Sequence, residues 1–390
     1  MTDIQKENKS GGKVPNLRFP EFKEGWEVKK LGEICEMRAG KFIVASEIYD
    51  KPNDSLFPCF GGNGLRGYTK SFNKEGTYSL IGRQGALCGN VTLANGKFYA
   101  TEHAVIVEPN ENADTIWMFY LLTYLNLNQY ATGMAQPGLS VQNLEKIEIV
   151  FPKSKKEQQK TASFLSKIDE RIRTQNKIIE QLETLIKGLS ENLFSQKIRF
   201  KKFEKKWEVK TLGEILIEIN ERTINSNQYR VLSSTAKGLF YQSDYFNKEV
   251  ASKDNAGYKI LKINQLVFSP QNLWLGNINV NTTYEIGIVS PSYKVFSFNE
   301  KAIVSYCKYF LKSSKMMFEY EQCSEQGASI VRRNLNMDLF LNIPILLPKL
   351  EEQIQISSFL TKIDQKIQTE KAILEQLEIQ KKYLLQQMFV

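Results

Sequence analysis

The chain has 390 residues, of which 42% are apolar and 24% charged, and this balance excludes the disordered and fibrous classes. That length exceeds one ordinary core and predicts a protein of two domains, each of about 100 to 200 residues. Lys and Arg outnumber Asp and Glu by 52 to 43, so the net charge of +9 suits either a nucleic-acid partner or a plain basic surface.

Neither a metal site nor a targeting segment is indicated. The first 13 residues are polar, and no run of 18 uncharged apolar residues occurs, so we expect a soluble, cytoplasmic protein with no membrane partner. The cysteines are scattered and form no C-x-x-C pair, which predicts reduced packing residues. They are Cys35, Cys59, Cys88, Cys307 and Cys323.

After a polar tail, the chain is one module written twice. LRFPEFKEGWEVKKLGEI at Leu17–Ile34 returns as IRFKKFEKKWEVKTLGEI at Ile198–Ile215, with 11 of 18 positions identical. A second pair, Phe164–Glu183 and Phe359–Glu378, follows a Pro-Lys in each copy. The regions between these repeats diverge, so the shared parts predict architecture and the divergent parts predict selectivity.

The first variable region reads as short strands joined by turns rich in glycine. The segments at 57–68 and 78–91 place Arg and Gln, the side chains that suit guanine and adenine edges, at constrained tips, although ordinary tight turns remain an alternative. The single histidine lies beside Glu102 without any nucleophile motif, which favours hydrogen bonding or packing over catalysis. The candidate DNA-facing residues are Gly61, Gly62, Asn63, Arg66, Tyr68, Arg83, Gln84, His103, Gln136 and Ser140.

A heptad-like helix of about 38 residues follows each variable region, and its rise of 1.5 Å per residue predicts a length of roughly 55 Å. Each copy has polar residues in the apolar seam, at Gln175 in the first and at Glu370 and Lys381 in the second. If the copies pair antiparallel, they form a pseudo-two-fold repeat; a homodimer through both seams is the alternative. The seam residues are Leu165, Ile168, Ile172, Ile179, Leu182, Ile186, Leu189, Leu360, Ile363, Ile367, Leu374, Leu377 and Leu384, and the pattern continues at Leu193 and Met388.

The second variable region has different candidates at comparable turns. An adjacent arginine pair near a strand-to-loop junction is compatible with a phosphate clamp or with a solvated surface pair. The candidates are Lys237, Gln271, Asn272, Lys294, Arg332 and Arg333.

Motifs for chemistry are missing from the sequence. It contains no N-P-P-[YFW] or D-P-P-Y methyltransferase motif, no Walker loop and no dinucleotide fingerprint. The two Glu-Val-Lys triplets that match part of a nuclease pattern lie inside the architectural repeat. We therefore expect a chain without catalytic residues.

Several segments of the chain form one set: the two WEVKxLGEI segments, the GGNGLRGY and LIGRQGALCGNV loops, YATEHAV, QPGLSVQNLEKI, GIVSPSY and the paired FLxKID helices. Together they resemble the specificity (S) subunit of type I restriction-modification systems. The resemblance implies an α+β fold, with two mixed α/β target-recognition domains joined by two long antiparallel coiled-coil helices in a pseudo-two-fold internal repeat. The implied boundaries are a flexible tail at 1–16, recognition domains at 17–151 and 198–347, and conserved helices at 152–197 and 348–390.

The resemblance also implies partners. Each domain would read one half of a bipartite site in double-stranded DNA, and two methyltransferase subunits would dock on the helices. Motor-nuclease subunits would join them, so S-adenosylmethionine, ATP and Mg²⁺ belong to the partners and no cofactor to this chain. The Gln271-Asn272 segment departs from the arginine-bearing version of its loop, which weakens the carry-over there. The competing hypothesis is a coiled-coil scaffold that binds proteins and has no DNA specificity.

Overall fold

The computed structural model describes residues 14–85, 87–133, 137–245, 254–326 and 333–390. It divides into two compact units: unit 1 comprises Met1–Asn176 and Ala372–Val390, and unit 2 comprises Lys177–Lys371.

Unit 1 is built on a mixed α/β domain followed by a long helix. Its main sheet has the strand order β2-β7-β5-β6-β3-β4, and β1 and β8 form a separate antiparallel ribbon. In chain order the elements are β1 (Glu27–Lys30), α1 (Leu31–Ile34), β2 (Cys35–Ala39), β3 (Phe57–Gly61), β4 (Gly64–Thr69), β5 (Lys74–Gly82), β6 (Val91–Ala100), β7 (Ala104–Pro109), α2 (Thr115–Tyr124), α3 (Val141–Glu145), β8 (Glu148–Phe151) and α4 (Lys155–Phe194).

The core of unit 1 lies between this sheet and helix α2. The run AVIVEP of β7 is apolar without alternation, which suits a strand covered on both faces, and Val105 and Val107 are fully buried. Helix α2 begins where the Asp114 carboxylate accepts hydrogen bonds from the backbone N–H groups of Ile116 and Trp117. The helix then buries Trp117 completely in the same core.

Unit 2 repeats this plan with shorter strands. Its largest sheet has the order β10-β17-β14-β15, and the pairs β11-β12, β13-β16, β18-β19 and β9-β20 are antiparallel. Its elements are β9 (Glu208–Thr211), β10 (Leu216–Ile219), β11 (Leu232–Thr235), β12 (Gly238–Tyr241), α5 (Gln242–Tyr245), β13 (Lys259–Lys262), β14 (Leu266–Phe268), β15 (Ile278–Val280), β16 (Ile286–Val289), β17 (Lys294–Phe298), α6 (Val304–Phe310), α7 (Ser314–Gln322), β18 (Ser324–Gln326), β19 (Arg333–Leu335), α8 (Met337–Leu341), β20 (Pro344–Leu347) and α9 (Leu350–Met388).

Each unit holds the first half of one long helix and the second half of the other, so the helices run antiparallel. In unit 1, Leu165 and Ile168 share a core with Leu384, and Lys381 pairs with Asp169 at 2.6 Å. In unit 2, the pairing is between Lys371 and Glu183, also at 2.6 Å.

The predicted seam residues are all buried or half-buried along these two helices. The polar seam positions Gln175 and Glu370 are buried as well, at 8% and 7% exposure, and Lys366 pairs with Glu370 one turn away.

The repeated N-terminal segments act as duplicated clasps on the starts of the helices. In unit 1 the Arg18 guanidinium donates to both carboxylate oxygens of buried Glu157, at 2.6 and 2.8 Å. In unit 2 Arg199 does the same to buried Glu352, at 2.7 Å for both bonds. A bidentate arginine fork fixes orientation as well as distance, so these pairs explain why the two segments share their sequence.

Candidate nucleic-acid interface

Two glycine-rich loops of unit 1 meet in a pocket of about 440 Å³. One loop is the turn between β3 and β4, and the other follows β5. Six of the sequence candidates line this pocket together with Gly64, Leu65 and Gly85: they are Gly61, Gly62, Asn63, Arg66, Gln84 and His103.

The loops approach so closely that their contact requires glycine. A Cβ atom added to Gly82 would lie 1.8 Å from the carbonyl oxygen of Gly62, and the obstacle is backbone that no rotamer change removes. Gly64 has φ of +78°, which glycine adopts at no steric cost, and it closes the turn after Asn63. The sequence therefore holds two short loops against each other and leaves their side chains to line the pocket.

Hydrogen bonds connect these loops to the segment that carries the histidine. The backbone N–H of Arg83 donates to the carbonyl of His103 at 3.0 Å, and the N–H of Leu139 donates to the carbonyl of Arg83 at 2.9 Å. The amide of Asn90 donates to the Asn63 side chain at 3.1 Å, joining the two loop tips. The pocket floor is thus fixed by backbone groups and one amide pair.

The side chains over this floor offer several polar groups of different kinds. Arg66 and Gln84 are exposed, and His103 is half-buried with its Nε2 3.1 Å from a Glu102 carboxylate oxygen. Among the described residues, three buried polar atoms of this region have no hydrogen-bond partner: Nδ1 of His103, which lines the pocket, and Nε of Arg83 and Oε2 of Glu102, each one position from a lining residue. Donors and acceptors that remain unsatisfied at an open pocket are available to a polar ligand.

The remaining unit 1 candidates have other positions. Tyr68 is half-buried on β4 and exchanges backbone hydrogen bonds with Tyr49. The Ser140 hydroxyl accepts from the backbone N–H of Asn143 and caps helix α3. Gln136 lies outside the described residues.

In unit 2 the candidates form a different cluster. The Arg333 guanidinium lies over the ring of Trp274 at 4.5 Å and pairs with Glu321 at 2.9 Å. Its backbone N–H donates to the carbonyl of Gln271 at 3.2 Å, which brings β19 beside the Gln271-Asn272 turn.

Two unit 2 lysines lie outside this cluster. Lys294 on β17 pairs with Glu218 at 2.7 Å. Lys237 lines a separate pocket with three other lysines. Arg332 is outside the described part of the chain.

Sequence reasoning missed two groups of residues. Gly82 and Asn90 position the loops of unit 1, and the G-R-Q-G spacing was the signal for the first of them. Lys308 and Lys312 line the same unit 2 pocket as Lys237, and no local pattern marks them.

The two units together define a duplicated binding protein in which a shared frame carries unlike polar loops. In the described ranges, no three His, Cys, Asp or Glu side chains are grouped so that they could hold a metal ion. Nor is any helix in those ranges both long and apolar enough to span a membrane.

The chain belongs to the type I restriction-modification DNA specificity domain family, whose model matches residues 23–184 and 204–379. The specificity subunit of the type I restriction enzyme EcoprrI from Escherichia coli is 48% identical over 154 residues, which cover 39% of this chain and 38% of that subunit. The MjaVIII specificity subunit from Methanocaldococcus jannaschii is 25% identical over 410 residues, covering 95% of this chain and 92% of that subunit.

Solved structures show the same fold. The S subunit of the type I restriction-modification system from M. genitalium superposes with a TM-score of 0.62 at 18% identity, covering 97% of this chain and 99% of that one. A second solved chain comes from work on the complex assembly and conformational transition of the type I restriction-modification system. It superposes with a TM-score of 0.52 at 15% identity, covering 95% of this chain and 98% of that one. The family resemblance and the fold class predicted from the sequence are confirmed.

Proposed function

We propose that this chain is the sequence-specific DNA-recognition subunit of a type I restriction-modification complex. Each recognition domain reads one half of a bipartite, asymmetric DNA site, and the helices set the spacer and dock two methyltransferase subunits. Methylation and restriction by the complex both require this recognition. The chain performs no chemistry itself, since methyl transfer and DNA cleavage belong to the methyltransferase and motor-nuclease partners.

The observation that carries the proposal is the pocket where the two glycine-rich loops of unit 1 meet. It exposes an arginine and a glutamine, Arg66 and Gln84, on a floor of backbone held by Gly62 and Gly82. Arginine pairs with the O6 and N7 atoms of guanine, and glutamine pairs with N6 and N7 of adenine in the major groove. We assign these two side chains to base reading.

Unit 2 supports the asymmetry of the site. Its cluster around exposed Gln271 and half-buried Arg333 shares no sequence pattern with the loops of unit 1, although the clasps and helices are repeated. A common frame with unlike loops suits two unlike half-sites. We therefore assign reading to residues 17–151 and 198–347, and spacing and docking to residues 152–197 and 348–390.

Replacing one reading residue tests this assignment. In the complex with its methyltransferase, Gln84→Ala should weaken binding to the target by about 1–3 kcal/mol and relax specificity at one position of one half-site. Gln129→Ala is the control, because Gln129 is exposed in unit 1, outside the pocket, and its side-chain amide donates to the nearby Leu125 carbonyl. Modified-base sequencing of DNA methylated by each variant gives the readout.

The outcome also separates the proposal from a protein-binding scaffold. Relaxation confined to one half-site, with the other half-site read as before, supports two independent reading domains. A purified complex that shows no salt-dependent DNA binding would favour the scaffold instead.

A further inference from the structure

Unit 2 contains a second pocket, of about 740 Å³, whose described lining includes four lysines. We call it the lysine pocket and define it by Lys187, Lys237, Lys308 and Lys312. They come from α4, the β11–β12 turn, α6 and the α6–α7 junction. Four ammonium groups around one cavity are an unusual arrangement unless a counter-charge joins them.

The carboxylates of the pocket are already engaged. Asp364 accepts a hydrogen bond from the Lys308 ammonium at 2.7 Å. Glu191 accepts from both the backbone N–H and the hydroxyl of Ser314, at 2.8 and 2.7 Å. Within the described ranges, Lys187 and Lys237 form no ion pair, so the lining keeps a positive excess.

Lys312 is held toward the cavity by a neutral group. Its ammonium donates at 2.7 Å to the side-chain oxygen of Asn279, which is 6% exposed. The Asn279 amide is itself fixed, because it donates to the hydroxyl of Ser234 at 2.7 Å and to the carbonyl of Thr235 at 2.9 Å. The packed surroundings of the ammonium and the nearby Lys308 lower the pKa of Lys312 to about 8. An anion beside this ammonium would offset that cost.

The internal repeat shows that Lys308 and Lys312 are peculiar to unit 2. Tyr120 in unit 1 bonds to Ser166 and Asp169, and Tyr309 in unit 2 bonds to the matching Thr361 and Asp364. This equivalence aligns α2 with α6.

In this alignment, Phe119 of unit 1 is equivalent to Lys308 of unit 2, and Thr123 is equivalent to Lys312. A partner that docks in the same way on both repeats would not require lysines that only one repeat contains. The pocket therefore suits a ligand that only the second recognition domain meets.

We infer that the lysine pocket binds a phosphate group. A backbone phosphate of DNA next to the second half-site is the source favoured by the proposed function, on which this part of the inference rests. The phosphate of a free nucleotide has the same chemistry and would use the same ammonium groups, and the experiment separates the two sources.

The test uses the full chain in its complex and measures DNA affinity across a salt series. Lys237→Gln and Lys312→Gln should each flatten the slope of log affinity against log salt by about 0.9, the value for one phosphate contact, and weaken all sequences alike. The side chain introduced by Lys312→Gln retains an amide donor for Asn279, and Lys237 is exposed on a turn, so neither change should unfold the domain. Lys206→Gln removes an equal charge from an exposed site of unit 2 outside the pocket and should leave the slope unchanged.

Titration of the same proteins with inorganic phosphate and ATP, followed by a thermal shift, identifies the source. If the salt slopes of DNA binding are unchanged, and ATP or phosphate stabilises the wild type but not Lys312→Gln, the pocket binds a free nucleotide or phosphate. If the slopes are unchanged and neither phosphate nor ATP shifts the melting temperature of the wild type, the inference is overturned. The proposed function still stands in that case, provided that the wild type binds DNA. If the wild type does not bind DNA at all, the proposed function fails, and the phosphate titration alone decides the pocket.

Discussion

The contact between Gly82 and Gly62 makes the sharpest prediction about the reading pocket. Gly82→Ala would add a Cβ 1.8 Å from the Gly62 carbonyl oxygen, whereas an ordinary contact is near 3.4 Å. The loops must then separate by about 1.6 Å, and overpacking of this kind costs about 1–3 kcal/mol. Because the pocket lies across this contact, the shift should disturb Arg66 and Gln84 together.

Urea unfolding and DNA affinity of the Gly82→Ala complex provide the assay. We expect lower stability of unit 1 and at least a tenfold loss of specific binding, about 1.4 kcal/mol, since both base-reading side chains are displaced. Gly188→Ala is the matched control, because Gly188 lies in α4 with nothing within 4 Å of its added Cβ. That change should stabilise the helix by about 0.5–1 kcal/mol. Normal stability and binding in Gly82→Ala would refute the loop contact and the pocket built on it.

Three further predictions concern the clasp, the helices and the lysine pocket. Arg18→Met leaves Glu157 buried without its cation and should destabilise unit 1 by about 3–5 kcal/mol in urea unfolding. The control Arg38→Met breaks the exposed pair with Glu36 and should leave the unfolding midpoint nearly unchanged. Equal effects of the two changes would contradict the role of burial. One heptad inserted in both long helices adds about 10 Å and should lengthen the methylated site by roughly three base pairs, so an unchanged spacer in modified-base sequencing would exclude the helices as its determinant. Lys312 is charged below its pKa of about 8, so the wild type should bind DNA more tightly than Lys312→Gln at pH 7 and should lose that advantage as the pH rises well above 8. An advantage that stays constant with pH would contradict a role for the charge of Lys312. The other charged groups of the pocket are Lys187, Glu191, Lys237, Lys308 and Asp364.

The frame of the protein was predictable because it depends on patterns local in sequence. The heptad spacing placed the seam residues from Leu165 to Leu384, and the duplicated segments marked where each module begins. In unit 1, glycine spacing also marked the pocket loops, since glycine permits the close approach of backbone seen between Gly82 and Gly62.

Contacts between distant residues were beyond the reach of the sequence. The bond from Lys312 to Asn279 joins side chains 33 positions apart, and neither segment carries a periodic signal that connects them. For Ser140, which the sequence predicts to face DNA, the structure adds a local role that was not predicted, because its hydroxyl oxygen accepts the Asn143 backbone N–H at a helix N-terminus. A serine three positions before Asn143, at the start of an apolar turn, is a cap signature that could have been weighed first.

The comparison of α2 with α6 shows where the two units differ within the shared frame. Positions that face the long helices stay aromatic and buried: Trp117 contacts Phe389 in unit 1, and Tyr306 contacts Phe194 in unit 2. Intervening positions on the same short helices differ in chemistry: Phe119 packs against the core of unit 1, whereas Lys308 pairs with Asp364 of α9 in unit 2. The difference between the units is therefore not confined to loops, because the lysine pocket, which we infer to bind a phosphate group, takes Lys308 from helix α6.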